Sequence, residues 1–198
     1  ISNLIRDRIA KFYRRESVVI FPPVDTSRFT PSDGHDDYFL ALSRLIPYKR
    51  IDLAIEACNR LKARLLIAGS GRETERLKKL AGPTVEFLGR VPEERLNELY
   101  ARCKAFIFPG EEDFGLTPLE ANSAGRPVIA FKAGGTLDTV VPGVTGEYFT
   151  EQTVDNLAAV MEKFNPDAYD TAAIRAHACK FDTSVFREQL MTQINRWM

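Results

Sequence analysis

"YFLALSRLIPYKRIDLAIEACNRLKARLLIAG", residues 38–69, reads as a strand, a helix and a second strand. The two ends, "YFLALS" and "RLLIAG", are apolar without the in–out alternation of a half-exposed strand, the pattern of strands covered on both faces in a parallel sheet. Between them Ile51, Ile55 and Cys58 recur on one helical face. The unit then repeats. "RETERLKKLA" (72–81) leads to "VEFLG" (85–89), and a helix showing Leu96, Leu99, Tyr100 and Cys103 leads to "AFIFPG" (105–110). "TPLEANSAG" (117–125) leads to "PVIAF" (127–131), followed by a short "TLDTVV" (136–141). Five such units predict an α/β domain with a doubly wound parallel sheet. Right-handed crossovers gather the strand-to-helix loops at one sheet edge, where ligands of such sheets bind.

The ends read differently. Residues 3–14 predict an amphipathic helix with Leu4, Ile5, Ile9, Phe12 and Tyr13 apolar, and "VVIFPPVDTSRF" (18–29) predicts a strand running into a stiff Pro-Pro connector. After Thr150 the pattern is helical in three pieces broken near Pro166 and Asp182. The expected division is residues 1–22 as the end of a preceding domain and linker, 23–180 as the sheet domain, and 181–198 as a C-terminal helix reaching back toward a neighbouring domain.

Composition excludes several classes. Lys and Arg number 27 and balance 27 Asp and Glu, so no net field recruits nucleic acid or an anionic membrane. Cys58, Cys103 and Cys179 show no C-x-x-C spacing, against both a zinc knuckle and a disulfide framework. The first two fall on apolar helical faces as inert core thiols. No run approaches the length of a membrane span, and the N-terminal charges do not form a signal peptide, so a cytoplasmic chain is expected.

The loop edge carries the candidate chemistry. Gly69, Gly71, Gly89, Gly110, Gly115, Gly134 and Gly135 cluster there, as tight turns or as close approaches to a ligand. Arg44 and Lys49 flank Pro47 after a strand; they could neutralise a diphosphate, Arg as a planar fork and Lys as a point charge, or be an ordinary solvated pair. In "EEDFGLTPLEA" (111–121), Thr117 fits an N-cap, Pro118 the first helical position and Glu120 the end of a capping box. The same entry beside Gly115 would present free N–H groups to a phosphate, while Glu112 and Glu120 suit the vicinal hydroxyls of sugars.

Other chemistries fail. Thr74 stands where a third dinucleotide glycine belongs and Gly89 where a ribose-binding acid belongs. Ala121 stands where a nucleophile elbow needs glycine, which leaves Ser123 an ordinary helical residue. There is no Walker lysine and no D-x-D, and His35 and His177 read as surface or packing residues.

Arg44, Lys49 and the E-x7-E spacing of Glu112 and Glu120 occur together with "SRLIPYKRIDLAIEA", "LLIAGSG", "VEFLGRV", "FPGEEDFGLTPLEANSAGRPVIAF" and "AGGTLDTVVPGVTGEYF". Over about residues 16–150 the chain resembles the C-terminal, nucleotide-sugar-binding half of retaining GT-B glycosyltransferases of the group 1 (family 4) type. The resemblance implies a Rossmann-like half of a GT-B fold with covering C-terminal helices. It implies that Arg44 and Lys49 hold the donor pyrophosphate and that Glu112 approaches the transferred sugar, these three forming the catalytic set. Phe114, Gly115, Leu116 and Thr117 would lie against phosphate and sugar, Glu120 at the ribose diol, and Gly89, Arg90 and Val91 near the base, with Gly69 and Gly71 completing the donor contacts. It implies no metal and no cofactor beyond the substrate, a nucleotide-diphosphate sugar that is GDP-mannose or a UDP-sugar. "GGTLDTVVPGVTGEYF" and "EQTVDNL" look most like mannosyltransferases. The implied partner is an N-terminal acceptor-binding domain of which only a last helix stands here, so the fragment alone is expected to be nearly inactive and the whole enzyme to work at the membrane periphery. Two departures stand out, Arg50 where the family often has glycine and Asp138 where glutamate is usual. Two alternatives remain: a non-catalytic nucleotide-sugar-binding module, and a glycosidase using Glu112 and Glu120 as acid and base.

Overall fold

The computed structural model describes residues 1–196; positions 197 and 198, the end of the expected C-terminal segment, lie outside it. Six strands form one parallel sheet: β1 (Phe39–Leu42), β2 (Leu65–Ala68), β3 (Val85–Gly89), β4 (Ala105–Phe108), β5 (Val128–Phe131) and β6 (Gly146–Phe149). The helices are α1 (Asn3–Tyr13), α2 (Ile51–Leu61), α3 (Thr74–Leu80), α4 (Glu93–Arg102), α5 (Leu116–Ser123), α6 (Thr136–Thr139), α7 (Val154–Lys163), α8 (Thr171–Ala178) and α9 (Thr183–Asn195). The doubly wound α/β expectation holds. The sixth strand is an addition that the apolar-run criterion passes over, because Glu147 and Tyr148 sit half-buried at the sheet's edge.

Strand order is β3-β2-β1-β4-β5-β6. The chain winds outward from β1 to β3, then returns to lay β4 on the other side of β1, so the direction of winding reverses between β1 and β4. Their ladder holds only Phe39 against Ala105 and Leu40 against Phe106. A crevice at this point is where an open α/β sheet takes its ligand.

Successive residues of each strand enter opposite cores. Ala41, Ile67, Ile107 and Ile129 pack with α2 and α7, whereas Leu40, Leu66, Phe106 and Ala130 pack with α4 and α5. Each large side chain so buried contributes roughly 1.5–3 kcal/mol, which fixes the strand ends from which the site loops spring. Cys58 and Cys103 are fully buried, and burial pushes both thiols up to about 12, in line with inert core thiols.

One expectation is corrected. Residues 18–21 form no strand, because the two prolines that follow lack the N–H donors of a ladder. The segment is held by side chains instead: the Phe21 ring stacks on Phe114 at 5.8 Å and meets Phe181 edge-on at 5.3 Å. Val24 then bridges to Asp182, whose carboxylate caps α9 through the Ser184 N–H at 2.9 Å and accepts the Thr26 hydroxyl at 2.7 Å.

Candidate functional site

The loop after β1 and the loop after β4 meet over the crevice. A cavity of about 590 Å³ opens between them, lined by Lys49, the acids Glu111, Glu112 and Asp113, and Phe114, Gly115, Leu116 and Thr117, together with Pro22 and Tyr48. Lys49 comes from a single helical turn, Pro47–Lys49, that follows the Pro47 break. Its ammonium forms an ion pair with Oε1 of Glu112, both side chains being mostly buried. The cation and the acid assigned to separate ligand groups by the sequence are thus joined to each other.

Buried Phe114 anchors the turn into α5, and Gly115 makes that turn at φ 88°, in the region glycine alone enters freely. Here a second expectation is corrected. The helix begins at Leu116, with Gly115 as N-cap and no side-chain cap, so Thr117 and Glu120 form no capping box. The glycine turn starts the helix earlier than Thr117 would. Pro118 then falls at the third helical position, where its missing N–H leaves no bond unmade. Among the described residues, no acceptor takes the N–H groups of Phe114, Gly115, Leu116 or Thr117. Free donors at a helix start beside a cavity suit an anion.

The Gly134–Gly135 pair shapes this loop from behind. Gly135 donates its N–H to the Glu112 carbonyl at 2.8 Å, and a Cβ on Gly135 would stand 2.1 Å from the Phe114 Cα. Gly69 and Gly71 likewise let the loop after β2 lie against the backbone of Ser43 and Leu45. These glycines therefore serve loop-on-loop packing. Neither lines the cavity, nor do Arg44, which is exposed at the end of β1, or Gly89, Arg90 and Val91 at the end of β3.

Glu120 lies one turn beyond the cavity on α5, turned toward α4. Its Oε2 accepts the Tyr100 hydroxyl at 2.7 Å. Burial pushes the Glu120 carboxyl above its ordinary value; the Tyr100 hydrogen bond and the Arg28 charge pull it down, and Glu93 pushes it up.

Sequence reasoning missed the arginine that balances the acids of this loop. From α1, Arg8 reaches Asp113 at 2.7 Å and Glu111 at 4.0 Å, and Asn3 donates its backbone N–H to Asp138 at 2.9 Å. A second cavity of about 390 Å³ shares Tyr48 and the acids 111–113 with the first and is lined also by Arg8, Arg50 and Gln152. Arg50 sits at φ 52°, the left-handed conformation in which glycine is at ease; it pairs with Asp52 at 3.3 Å and lines the same cavity as Glu112, closer to the site than the sequence suggested. Ser123 bonds to the Leu119 carbonyl and His177 to the Thr139 carbonyl, as helical and packing residues do. Among the described residues, no group of three or more His, Cys, Asp or Glu is gathered to hold a metal ion, and no helix is long and apolar enough to cross a membrane.

The family described as "Glycosyl transferases group 1" matches residues 25–178. The chain is 29% identical over 206 residues to a GDP-mannose-dependent alpha-(1-6)-phosphatidylinositol monomannoside mannosyltransferase of Mycolicibacterium smegmatis, covering 88% of this chain and 54% of that protein. It is 30% identical to the protein of the same name from Mycobacterium tuberculosis, covering 94% and 57%. The chain therefore spans little more than half the length of these relatives. Among solved structures, Anabaena Alr3699/HepE in complex with UDP superposes with a TM-score of 0.87 at 22% identity, over 98% of this chain and 62% of that one. The sucrose-phosphate synthase of Thermosynechococcus elongatus superposes with a TM-score of 0.85 at 23% identity, over 100% and 57%. At these identities the structures speak for the fold alone.

Proposed function

This chain belongs to the glycosyl transferases group 1 family, and on that footing we propose that it is the donor-binding half of a glycosyltransferase that moves a hexose from a nucleotide-diphosphate sugar. One observation carries the reading: Lys49 from the β1 loop and the unengaged N–H groups at the start of α5 border a single cavity at the point where the sheet reverses its winding. A pyrophosphate set there would lie between a cation and a helix start, two fixed sources of positive potential. Arg44, exposed at the end of the same strand, would join Lys49 on the phosphates.

In the proposed mechanism, the anomeric bond of the donor breaks with retention of configuration, and negative charge grows on the β-phosphate. Positive groups already aimed at that oxygen stabilise the charge as it develops and pay no reorganisation cost at that moment. Lys49, Arg44 and the N–H groups of Gly115 and Leu116 would fill this role without a metal. Glu112, released from Lys49 by the arriving phosphate, would accept hydroxyls of the transferred sugar, and Glu120 those of the ribose. The named relatives use GDP-mannose, which supports mannose as the sugar and guanine as the base. The acceptor would come from a preceding domain across the cleft, to which residues 1–22 would belong and toward which 181–198 would reach.

Titration calorimetry of this chain with GDP, UDP and ADP tests the reading. GDP binding that depends on the diphosphate is expected; no heat from any of the three at millimolar concentration would overturn it.

A further inference from the structure

Resting on the donor-binding reading, we infer that Tyr100 is a positioning residue: its hydroxyl fixes Oε2 of Glu120, leaving Oε1 to accept a hydroxyl of the ribose diol. The hydroxyl-to-carboxylate distance is 2.7 Å. The phenol is fully buried and cannot wander, since its ring meets Phe29 edge-on at 5.8 Å and Phe106 at 5.5 Å. Glu120, by contrast, ends in a terminal torsion that is soft and broad. Holding one carboxylate oxygen on a rigid donor therefore fixes where the other stands. Among the described residues, no donor engages Oε1, whereas Arg28 and Glu93 act on the carboxylate only as nearby charges.

A purely structural role for Tyr100 explains less. Elsewhere in this chain the hydroxyls of Tyr38 and Tyr148 are satisfied by backbone carbonyls, of Leu99 and of Thr136 and Val140. Burying an ionisable carboxylate only to satisfy a phenol would cost more than such a carbonyl does. Tyr169 does bond to Glu147, but at the sheet's open edge where neither group is fully buried. In the Tyr100–Glu120 pair the phenol is fully buried, and the half-buried carboxylate lies one turn from the cavity.

The test compares GDP with 2′,3′-dideoxy-GDP by calorimetry. The wild-type chain should prefer GDP by roughly tenfold or more, the worth of a hydrogen bond to a charged group. Tyr100→Phe should cut that preference at least about threefold while leaving dideoxy-GDP affinity unchanged. Because Tyr100 acts through Glu120, Tyr100→Phe should add nothing to the loss caused by Glu120→Gln. A packing role would weaken both ligands together and leave their ratio alone, and that result overturns the inference. Should Tyr100→Phe fail to fold, the ¹³Cζ resonance of Tyr100 in the wild-type chain decides: it should move with GDP and stay in place with dideoxy-GDP, and an equal response to both is contrary. Equal wild-type affinity for the two nucleotides overturns this inference alone, whereas binding of neither overturns the donor-binding reading with it.

Discussion

Lys49 and Glu112, separated by 63 positions, form an ion pair across the crevice between the β1 and β4 loops. An incoming pyrophosphate must compete with that carboxylate for the ammonium, so the two residues should act with opposite signs on a ligand that carries no sugar.

Lys49→Ala should weaken GDP binding by roughly 10–100-fold, the range of a charge-assisted hydrogen bond, and leave guanosine nearly unaffected. Glu112→Gln should instead tighten GDP several-fold by freeing the lysine. Calorimetry of both variants with GDP and guanosine checks this; equal losses of GDP and guanosine in Lys49→Ala would remove its phosphate role.

Glu120 should trade stability for binding. Its carboxyl is held above the ordinary value by burial, so the ionised form disfavours folding at neutral pH, and that cost disappears as pH falls below the unfolded value of about 4. Glu120→Gln should therefore raise Tm at pH 7 by about 1–3 °C, with the gain fading toward pH 4. A lower Tm at pH 7 would mean that the carboxylate supports the fold.

Gly135→Ala should disturb the site from behind. The added Cβ meets backbone of Phe114, which cannot swing aside as a side chain would. Destabilisation of about 2–3 kcal/mol should lower Tm by roughly 5–10 °C and weaken GDP by loosening the 111–115 turn. A variant that melts and binds like the wild type would show that the turn is not held from there.

Asp182 should make the C-terminal tether acid-sensitive. Hydrogen bonds from the Ser184 N–H and hydroxyl and from the Thr26 hydroxyl hold its carboxyl well below the usual range. Its stabilisation is thus complete above the unfolded value of about 4 and is lost as pH falls through the depressed folded value. The Tm gap between wild type and Asp182→Asn, about 2–4 °C at pH 7, should narrow below pH 4. A gap that stays constant down to pH 2 would contradict the role of the charge.

The sheet was legible because its central strands are buried on both faces and so carry unbroken apolar runs; β6, an edge strand with Glu147 and Tyr148, carries none. The run Val18–Phe21 has the composition of a strand but stands before two prolines, and composition does not report which N–H groups remain to pair. At the site, residue types and spacing marked Lys49, Glu112 and the Gly115 turn, which the fold brings to one cavity. Partnership was not legible. The Lys49–Glu112 pair, the Arg8 contact to Asp113 and the Tyr100 hold on Glu120 each join residues far apart in sequence. The helix start was misplaced because Thr117 and Pro118 fit a cap locally, while the backbone had already turned at Gly115.

The most direct measurement is a crystal structure of this chain with bound GDP. The pyrophosphate should lie about 3 Å from the Lys49 ammonium and from the N–H groups of Gly115 and Leu116, a hydrogen-bond distance, with Glu112 parted from Lys49. A nucleotide bound elsewhere, with the Lys49–Glu112 pair intact, would contradict the account.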